Sequence, residues 1–152
     1  MLRLTKLADY GIVLLIHFAR EEDGGVQAAR DLAERSRLPL PTVSRILKAL
    51  SGSGILQSHR GVKGGYSLAR APESVTVVDI VTAIEGPIGI TACTEGEPTD
   101  CEHEAWCPAV NRWQVINGAI HEALEKVTLA EMATPVSEER LVQLETGRQA
   151  RA

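Results

Sequence analysis

Hydrophobic residues recur every three or four positions over three stretches near the start of the chain, which is the spacing of one helix face. The first predicted helix covers residues 6–20 and follows Thr5, a residue type that favours the N-cap. The second covers about residues 27–36 and the third about residues 41–52. Pro41 suits the first turn of the third helix, because an N–H at that position would have no intrahelical partner.

Two short strand-like segments, residues 55–60 and 66–70, follow the third helix. The glycine-containing segment 61–65 between them is typical of a hairpin tip. Three helices followed by a two-stranded ribbon is the element order of a winged helix-turn-helix. We therefore predict a mainly α fold with a small β-ribbon, and we place this winged helix-turn-helix domain at residues 1–75.

A fourth, short helix is predicted at residues 77–85, where Thr76 and Asp79 occupy the two positions of a capping box. After it comes a loop with several glycines and prolines, which is long enough to suggest a functional segment. Residues 76–107, the short helix and this cysteine-bearing loop, are treated as one region.

A long helix is predicted over about residues 108–127, and Thr128 with Glu131 forms a second capping-box pattern that opens a last short turn. This region is placed at residues 108–134. Residues 135–152 are expected to form a flexible tail.

The long helix carries an apolar stripe at steps of three and four positions that exceeds what the neighbouring elements could cover. Pairing with the same helix of a second copy would bury the stripe, and a symmetric dimer would present two recognition helices to a palindromic duplex. The alternative is that the helix folds back onto its own domain. We predict a homodimer formed through a long C-terminal dimerisation helix, with the stripe at Val110, Trp113, Ile116, Ile120, Leu124 and Val127.

Charge is distributed unevenly along the chain, whose net charge is −4. Residues 1–70 carry 11 Lys and Arg against six Asp and Glu, a net +5, whereas residues 71–152 carry five against 14, a net −9. Residues 35–72 contain seven Lys and Arg and no acid. A basic block inside an acidic protein indicates a site for a polyanion such as nucleic acid, although a solvated helix face is the simpler alternative.

The third helix and the hairpin together form a candidate site for double-stranded DNA. A helix of this size fits the major groove, where Arg45 can pair with guanine or clamp a phosphate. Glycines at the hairpin tip would let its backbone approach the sugar-phosphate chain. A module for protein contacts is the alternative, which the acid-free stretch disfavours. The predicted DNA-binding residues are Thr42, Ser44, Arg45, Lys48, His59, Arg60, Lys63, Gly64, Gly65 and Tyr66.

The three cysteines, Cys93, Cys101 and Cys107, all lie in the loop, separated by seven and five residues. An odd number of clustered cysteines argues against a secreted disulfide framework and favours metal or redox chemistry. No Lys or Arg occurs from residue 71 to residue 111, and five acidic residues lie between positions 95 and 104, around the cysteines. The resulting negative electrostatic field favours a bound cation. His103 would complete a Cys3His zinc site. The other possibilities are an iron–sulfur cluster, a disulfide switch and three cysteines without a shared role.

Several classes of protein are disfavoured by what the sequence lacks. No apolar run reaches the roughly 18 residues that a membrane span needs, and no signal peptide is recognised, so we expect a cytoplasmic protein without a membrane partner. Nucleotide loops, a nucleophile elbow, paired carboxylates and a C-x-x-C pair are also missing. We therefore expect no enzyme activity and no small-molecule substrate.

With these features in place, the chain resembles the IscR/NsrR-type family of iron–sulfur winged-helix repressors from about residue 3 to residue 132. The resemblance is based on Arg3-Leu4-Thr5-Lys6 with Asp9-Tyr10, on the segment 40–47, on the cysteine trio and on 127–129. Its most specific part is the hairpin sequence Arg60-Gly61-x-x-Gly64-Gly65-Tyr66-x-Leu68-Ala69-Arg70. The resemblance implies a homodimer holding a 2Fe–2S or 4Fe–4S cluster that sets operator affinity. The segment 39–47 is similar to the subgroup that regulates cluster-assembly genes.

The chain departs from the family pattern at two points. The first two cysteines are separated by seven residues where five are common, and Val110 stands where one branch has a ligand histidine. Another branch takes an acidic ligand from the first helix of the partner chain, and Asp9 matches that position. The resemblance therefore ranks the partner's Asp9 ahead of His103 as fourth ligand, and it implies that cluster loss would free the first helix and reorient the DNA-binding elements.

Overall fold

A computed structural model describes residues 3–21, 24–94 and 101–135. Over these residues the chain forms six α-helices and one two-stranded antiparallel sheet, as the hydrophobic pattern predicted. None of the helices in these ranges is long and apolar enough to cross a membrane. The elements are α1 (Lys6–Ala19), α2 (Ala29–Ser36), α3 (Leu40–Gly52), β1 (Leu56–His59), β2 (Gly65–Leu68), α4 (Val77–Glu85), α5 (Val110–Glu125) and α6 (Leu129–Ala133).

Helix α1 begins at its predicted cap and lies at the centre of the fold. The Thr5 hydroxyl accepts hydrogen bonds from the N–H groups of Leu7 (3.2 Å) and Ala8 (3.3 Å). The same hydroxyl donates to Oε1 of Glu85 at 2.6 Å, and the Thr5 N–H donates to that oxygen at 3.2 Å. The first helix is thus capped and, at the same point, joined to the end of α4.

Helices α2 and α3 form the helix-turn-helix, and α3 begins at Leu40 with Pro41 in its first turn. The predicted start of α2 at Gln27 is wrong, because the backbone of Gln27 pairs with the hairpin instead. Its N–H donates to the Tyr66 carbonyl at 2.8 Å, and the Tyr66 N–H donates to the Gln27 carbonyl at 2.9 Å. This long-range pairing holds Gln27 extended, so the helix starts at Ala29.

The hairpin pairs Leu56 with Leu68 and His59 with Gly65. Both strands are shorter than predicted, and Gly65 belongs to β2 and not to the tip. The turn is closed by a hydrogen bond of 2.9 Å from the Gly64 N–H to the Gly61 carbonyl. We call residues 56–68 the wing.

One hydrophobic core joins the first four helices, the wing and α6, and we call this unit the head. Leu129 of α6 is completely buried in it, and two backbone hydrogen bonds fix α6 to the start of α4: Val77 N–H to the Val127 carbonyl (2.9 Å) and Leu129 N–H to the Val75 carbonyl (2.8 Å). Both predicted capping boxes, at Thr76 and Thr128, are formed. The core therefore extends across the predicted boundary at residue 75.

Helix α5 connects the cysteine loop to α6 and is shorter than predicted, beginning at Val110. None of its residues is fully buried in this chain. The predicted loop before it contains two single turns of 3-10 helix, Ala92–Thr94 and Glu104–Trp106. Beyond Pro135, the predicted tail lies outside the described residues.

Candidate nucleic-acid interface and cysteine loop

The polar face of α3 is exposed because the opposite face supplies four core residues to the head. Ser44, Arg45 and Lys48 are exposed, and Thr42 is half-buried. Helix periodicity thus places the predicted contact residues of α3 on the surface side of the helix. Contact of these side chains with DNA stays a prediction.

The wing exposes Arg60 and Lys63, whereas its other predicted DNA-binding residues have internal contacts. His59 is half-buried, and its Nε2 lies 2.8 Å from Oγ of Ser67. Tyr66 packs against the core of the head. These two residues have structural roles that the sequence did not reveal.

The two wing glycines are also required inside the molecule. A Cβ on Gly64 would lie 2.6 Å from the His59 carbonyl oxygen, and one on Gly65 would overlap the Gln27 carbonyl oxygen. Side chains are therefore excluded at both positions by close backbone approach, independently of any DNA. The predicted contact of these glycines with the sugar-phosphate chain stays a prediction.

Two of the seven basic residues in the acid-free stretch are held by other side chains. Arg35 lies 3.3 Å from Oε2 of Glu21 and donates to Oε1 of Gln27 at 3.0 Å. Arg70 lies 3.3 Å from Oδ2 of Asp79 and also donates to the Ser74 carbonyl. Among the residues that the structure describes, no ion pair forms at the other five, which are Arg37, Arg45, Lys48, Arg60 and Lys63.

His17 lies in the last turn of α1 and is half-buried. Burial lowers the pKa of His17 below its usual 6.5, and the nearby Arg35 and Arg20 lower the pKa further. The side chain is therefore neutral at pH 7 and adds no charge to the basic surface.

The three cysteines are free and half-buried. Cys93 lies in the first 3-10 turn, with its Sγ 3.2 Å from Oγ1 of Thr91, and Cys107 follows the second turn. Asp9 is exposed in the first turn of α1, and His103 is exposed as well. Within the described ranges of a single chain, no three ligand-type side chains converge.

The donor chemistry of the loop nevertheless fits a soft metal centre, because three thiols share a segment without Lys or Arg from residue 71 to residue 111. Residues 95–100, which lie between the first two cysteines and include Glu95, Glu97 and Asp100, are outside the described residues. Asp9 on the exposed side of α1 is available to a second chain.

The apolar stripe of α5 divides into two parts. Leu124 and Val127 pack against the core of the head, as expected if the helix folds back onto its own domain. Trp113 and Ile116 are 38% and 45% exposed. Two further apolar residues that the predicted stripe did not include are also exposed, Trp106 with 88% and Val115 with 71% of its surface. Val115 lies outside the three- and four-residue steps of the stripe, and Trp106 lies before α5 in the second 3-10 turn, so the predicted stripe included neither.

Comparison with known proteins connects this architecture to transcriptional regulators. A putative HTH-type transcriptional regulator of Haemophilus influenzae is 28% identical over 131 residues, which cover 86% of each chain. The structure of CymR, the global cysteine regulator of B. subtilis, is similar with a TM-score of 0.69 at 27% identity, covering 90% of this chain and all of CymR. T. potens IscR, at 24% identity, has the same fold with a TM-score of 0.65 over 99% of this chain and 92% of its own.

The profile of the Rrf2 family, described as iron-dependent transcriptional regulators, matches residues 4–135. Its solved relatives share the mainly helical fold with a two-stranded ribbon, which confirms the fold class predicted from the sequence. The family resemblance stated above is confirmed too. The chain belongs to the Rrf2 family of DNA-binding transcriptional regulators.

Proposed function

We propose that the chain is a homodimeric repressor whose affinity for palindromic operator DNA is set by an iron–sulfur cluster. The observation that supports the proposal is that one chain carries a basic surface and a cysteine loop in separate segments. Five basic residues without ion pairs in the described ranges belong to α2's end, α3 and the wing. Three thiols occupy a loop that has no basic residue.

The DNA-binding half of the proposal rests on α3 and the wing. In a winged helix, α3 enters the major groove while the wing follows the backbone. Arg45 is placed to bind a guanine edge or a phosphate, and Lys48, Arg60 and Lys63 supply phosphate contacts. The acidic loop would be repelled by the duplex and therefore faces away from it.

The cluster half of the proposal rests on donor chemistry. Cys93, Cys101 and Cys107 would hold a 2Fe–2S or 4Fe–4S cluster, and the partner's Asp9 would supply the fourth ligand. A cluster provides a redox-active centre whose loss removes four protein–iron bonds. Asp9 lies on α1, which packs on α3, so a ligand at Asp9 would tie the position of the recognition helix to the loop. Genes for cluster assembly are the proposed targets.

A second candidate function needs no cluster. His103, two residues after Cys101 and exposed, would complete a Cys3His zinc site that only stabilises the fold. Free thiols in the same loop would also suit a thiol-redox switch.

Anaerobic purification followed by visible spectroscopy, with iron and sulfide assays, tests the proposal. We expect charge-transfer bands that disappear in Cys93→Ala, Cys101→Ala and Cys107→Ala. A colourless protein with stoichiometric zinc would support the second candidate and contradict the first.

The fourth ligand is tested separately by Asp9→Ala, with Asp31→Ala as the matched control because Asp31 is another exposed first-turn acid. We expect Asp9→Ala to keep the apo dimer but to lose the cluster faster, or to uncouple it from operator binding. An unchanged cluster and unchanged operator binding in Asp9→Ala would exclude the proposed ligand.

A further inference from the structure

Arg37 is the one non-glycine residue in the described ranges with a positive φ. It ends α2 with φ 55° and ψ 31°, in the left-handed region. Its N–H donates to the Glu34 carbonyl at 3.2 Å, and the next N–H, of Leu38, reaches back to the Ala33 carbonyl at 3.1 Å. Helices that end in this way usually have glycine at the left-handed position.

The backbone at Arg37 cannot relax to an ordinary conformation without moving the next residue. Leu38 packs against the core of the head, and Pro39 follows as the N-cap of α3. The left-handed residue is therefore built into the turn between the two helices. For an L-residue this conformation is strained, and glycine would adopt it without strain.

No side-chain contact of Arg37 within the described residues offsets this strain. The Arg37 side chain is exposed, and no side-chain hydrogen bond or ion pair of Arg37 is found among the described residues. Arg35, two positions earlier, shows the contrast, because its guanidinium is engaged with Glu21 and Gln27. A strained residue whose side chain has no internal role is a candidate for a role in binding.

The surroundings of Arg37 indicate which partner it suits. The residue belongs to the turn that delivers α3, three positions before its first helical residue, and no acid occurs from residue 35 to residue 72. Within residues 35–72, the other four basic residues without ion pairs belong to α3 and the wing. A planar guanidinium next to these elements matches the geometry of a phosphate group.

We propose that Arg37 is a positioning residue of the DNA interface, which binds a backbone phosphate of the duplex and fixes the approach of α3. The proposal rests on the proposed DNA-binding surface and adds a contact outside α3 and the wing. It implies that the chain keeps a less stable turn in exchange for tighter DNA binding. Stability and DNA affinity should therefore respond in opposite directions to one substitution.

The test is Arg37→Gly in the full-length protein, measured for thermal unfolding and for binding to a random-sequence 30-base-pair duplex by fluorescence anisotropy. Random sequence suffices because a phosphate contact acts on all sequences alike. We expect the Tm to rise by about 2–4 °C. We expect affinity at 50 mM salt to fall by about tenfold for each bound protomer. The negative slope of log K against log salt should become less steep by about 0.9 for each bound protomer.

Two further variants separate charge from backbone. Arg37→Lys keeps the charge and the strain, and we expect it to retain the wild-type salt slope with unchanged stability. Arg112→Ala removes an exposed arginine from α5 and should change neither measurement. A more stable Arg37→Gly with wild-type affinity and salt slope would overturn the proposal, as would an unchanged Tm.

The same assay distinguishes failure of this inference from failure of the proposed function. If Arg45→Ala and Lys63→Ala weaken binding while Arg37→Gly does not, only the role of Arg37 is refuted. If none of the three substitutions affects binding, the assignment of the DNA interface itself is refuted, and the role of Arg37 with it.

Discussion

At the scale of single residues, Gly65 shows how closely the wing approaches the segment between α1 and α2. A Cβ at this position would overlap the Gln27 carbonyl oxygen and lie 2.7 Å from the carbonyl carbon. Backbone atoms cannot swing aside as a flexible side chain can. The two hydrogen bonds between Gln27 and Tyr66 would be lost or stretched.

We therefore expect Gly65→Ala to lower the free energy of unfolding by about 1–3 kcal/mol. Urea unfolding followed by far-ultraviolet circular dichroism measures this change. Gly52→Ala is the matched control, since nothing lies within 4 Å of a Cβ there and the residue ends α3. The control should be neutral or stabilising by up to about 1 kcal/mol. Equal changes in the free energy of unfolding for the two substitutions would show that the close approach to Gln27 does not determine the effect of Gly65→Ala.

Residues of the interface were predictable from the sequence only where helix periodicity decides exposure. Ser44, Arg45 and Lys48 are on the exposed face of α3 for that reason. The ion pairs of Arg35 and Arg70 form with acidic residues that the fold brings close. The sequence alone therefore did not distinguish these two arginines from the other basic residues. The left-handed backbone of Arg37 was not predicted, because glycine, the usual marker of that conformation, is absent there.

At the scale of elements, the contact between Thr5 and Glu85 joins the start of α1 to the end of α4. One hydroxyl accepts from two N–H groups of α1 and donates to a carboxylate 80 positions away. The carboxylate also lies at the positive end of the α1 dipole, which favours a negative charge. Glu85 directly precedes the loop that leads to Cys93, so this contact lies between that loop and α1.

Thr5→Ala should lower the free energy of unfolding by about 1–2 kcal/mol, because it removes both the N-cap of α1 and the hydrogen bond from the Thr5 hydroxyl to Glu85. Glu85→Gln should cost less, since the pair is exposed to solvent. Thr5→Ser, which keeps the hydroxyl, serves as the control and should stay near wild type. Chemical denaturation of the single and double variants gives the coupling energy, and strictly additive effects would contradict a direct interaction.

Helices were predictable as elements because each buries a face at a period of 3.6 residues, and both capping boxes were visible as local patterns. Their ends were less predictable where distant segments compete for the backbone. Gln27 pairs with Tyr66, 39 positions away, and no local pattern reveals that bond. The cysteine loop was recognised by composition, but the positions of its thiols depend on long-range folding.

At the scale of the whole molecule, α5 exposes apolar surface that the described part of the chain leaves uncovered. The exposed part is the first half of the helix, around Trp113 and Ile116, whereas the second half packs on the head. Pairing with a second copy, as proposed above, would cover this first half of the helix.

Ile116→Glu should therefore produce a monomer whose head remains folded, because Ile116 is 45% exposed and absent from the core. Light scattering coupled to size exclusion measures the mass, and circular dichroism checks the helix content. Gln114→Glu introduces the same charge at an exposed polar position and should leave the dimer intact. Dimers of unchanged stability in Ile116→Glu would exclude this face as the interface.

The burial of Leu129 in the head has a consequence for how the protein is made. A nascent chain released up to residue 75 lacks α4 and α6, and with them core side chains and the two backbone bonds that join residues 75–77 to 127–129. On the ribosome, the DNA-binding unit completes its core only after α5 has been synthesised. Products truncated before α6 therefore lack a finished head, and a chain whose head is complete already carries its three thiols and α5.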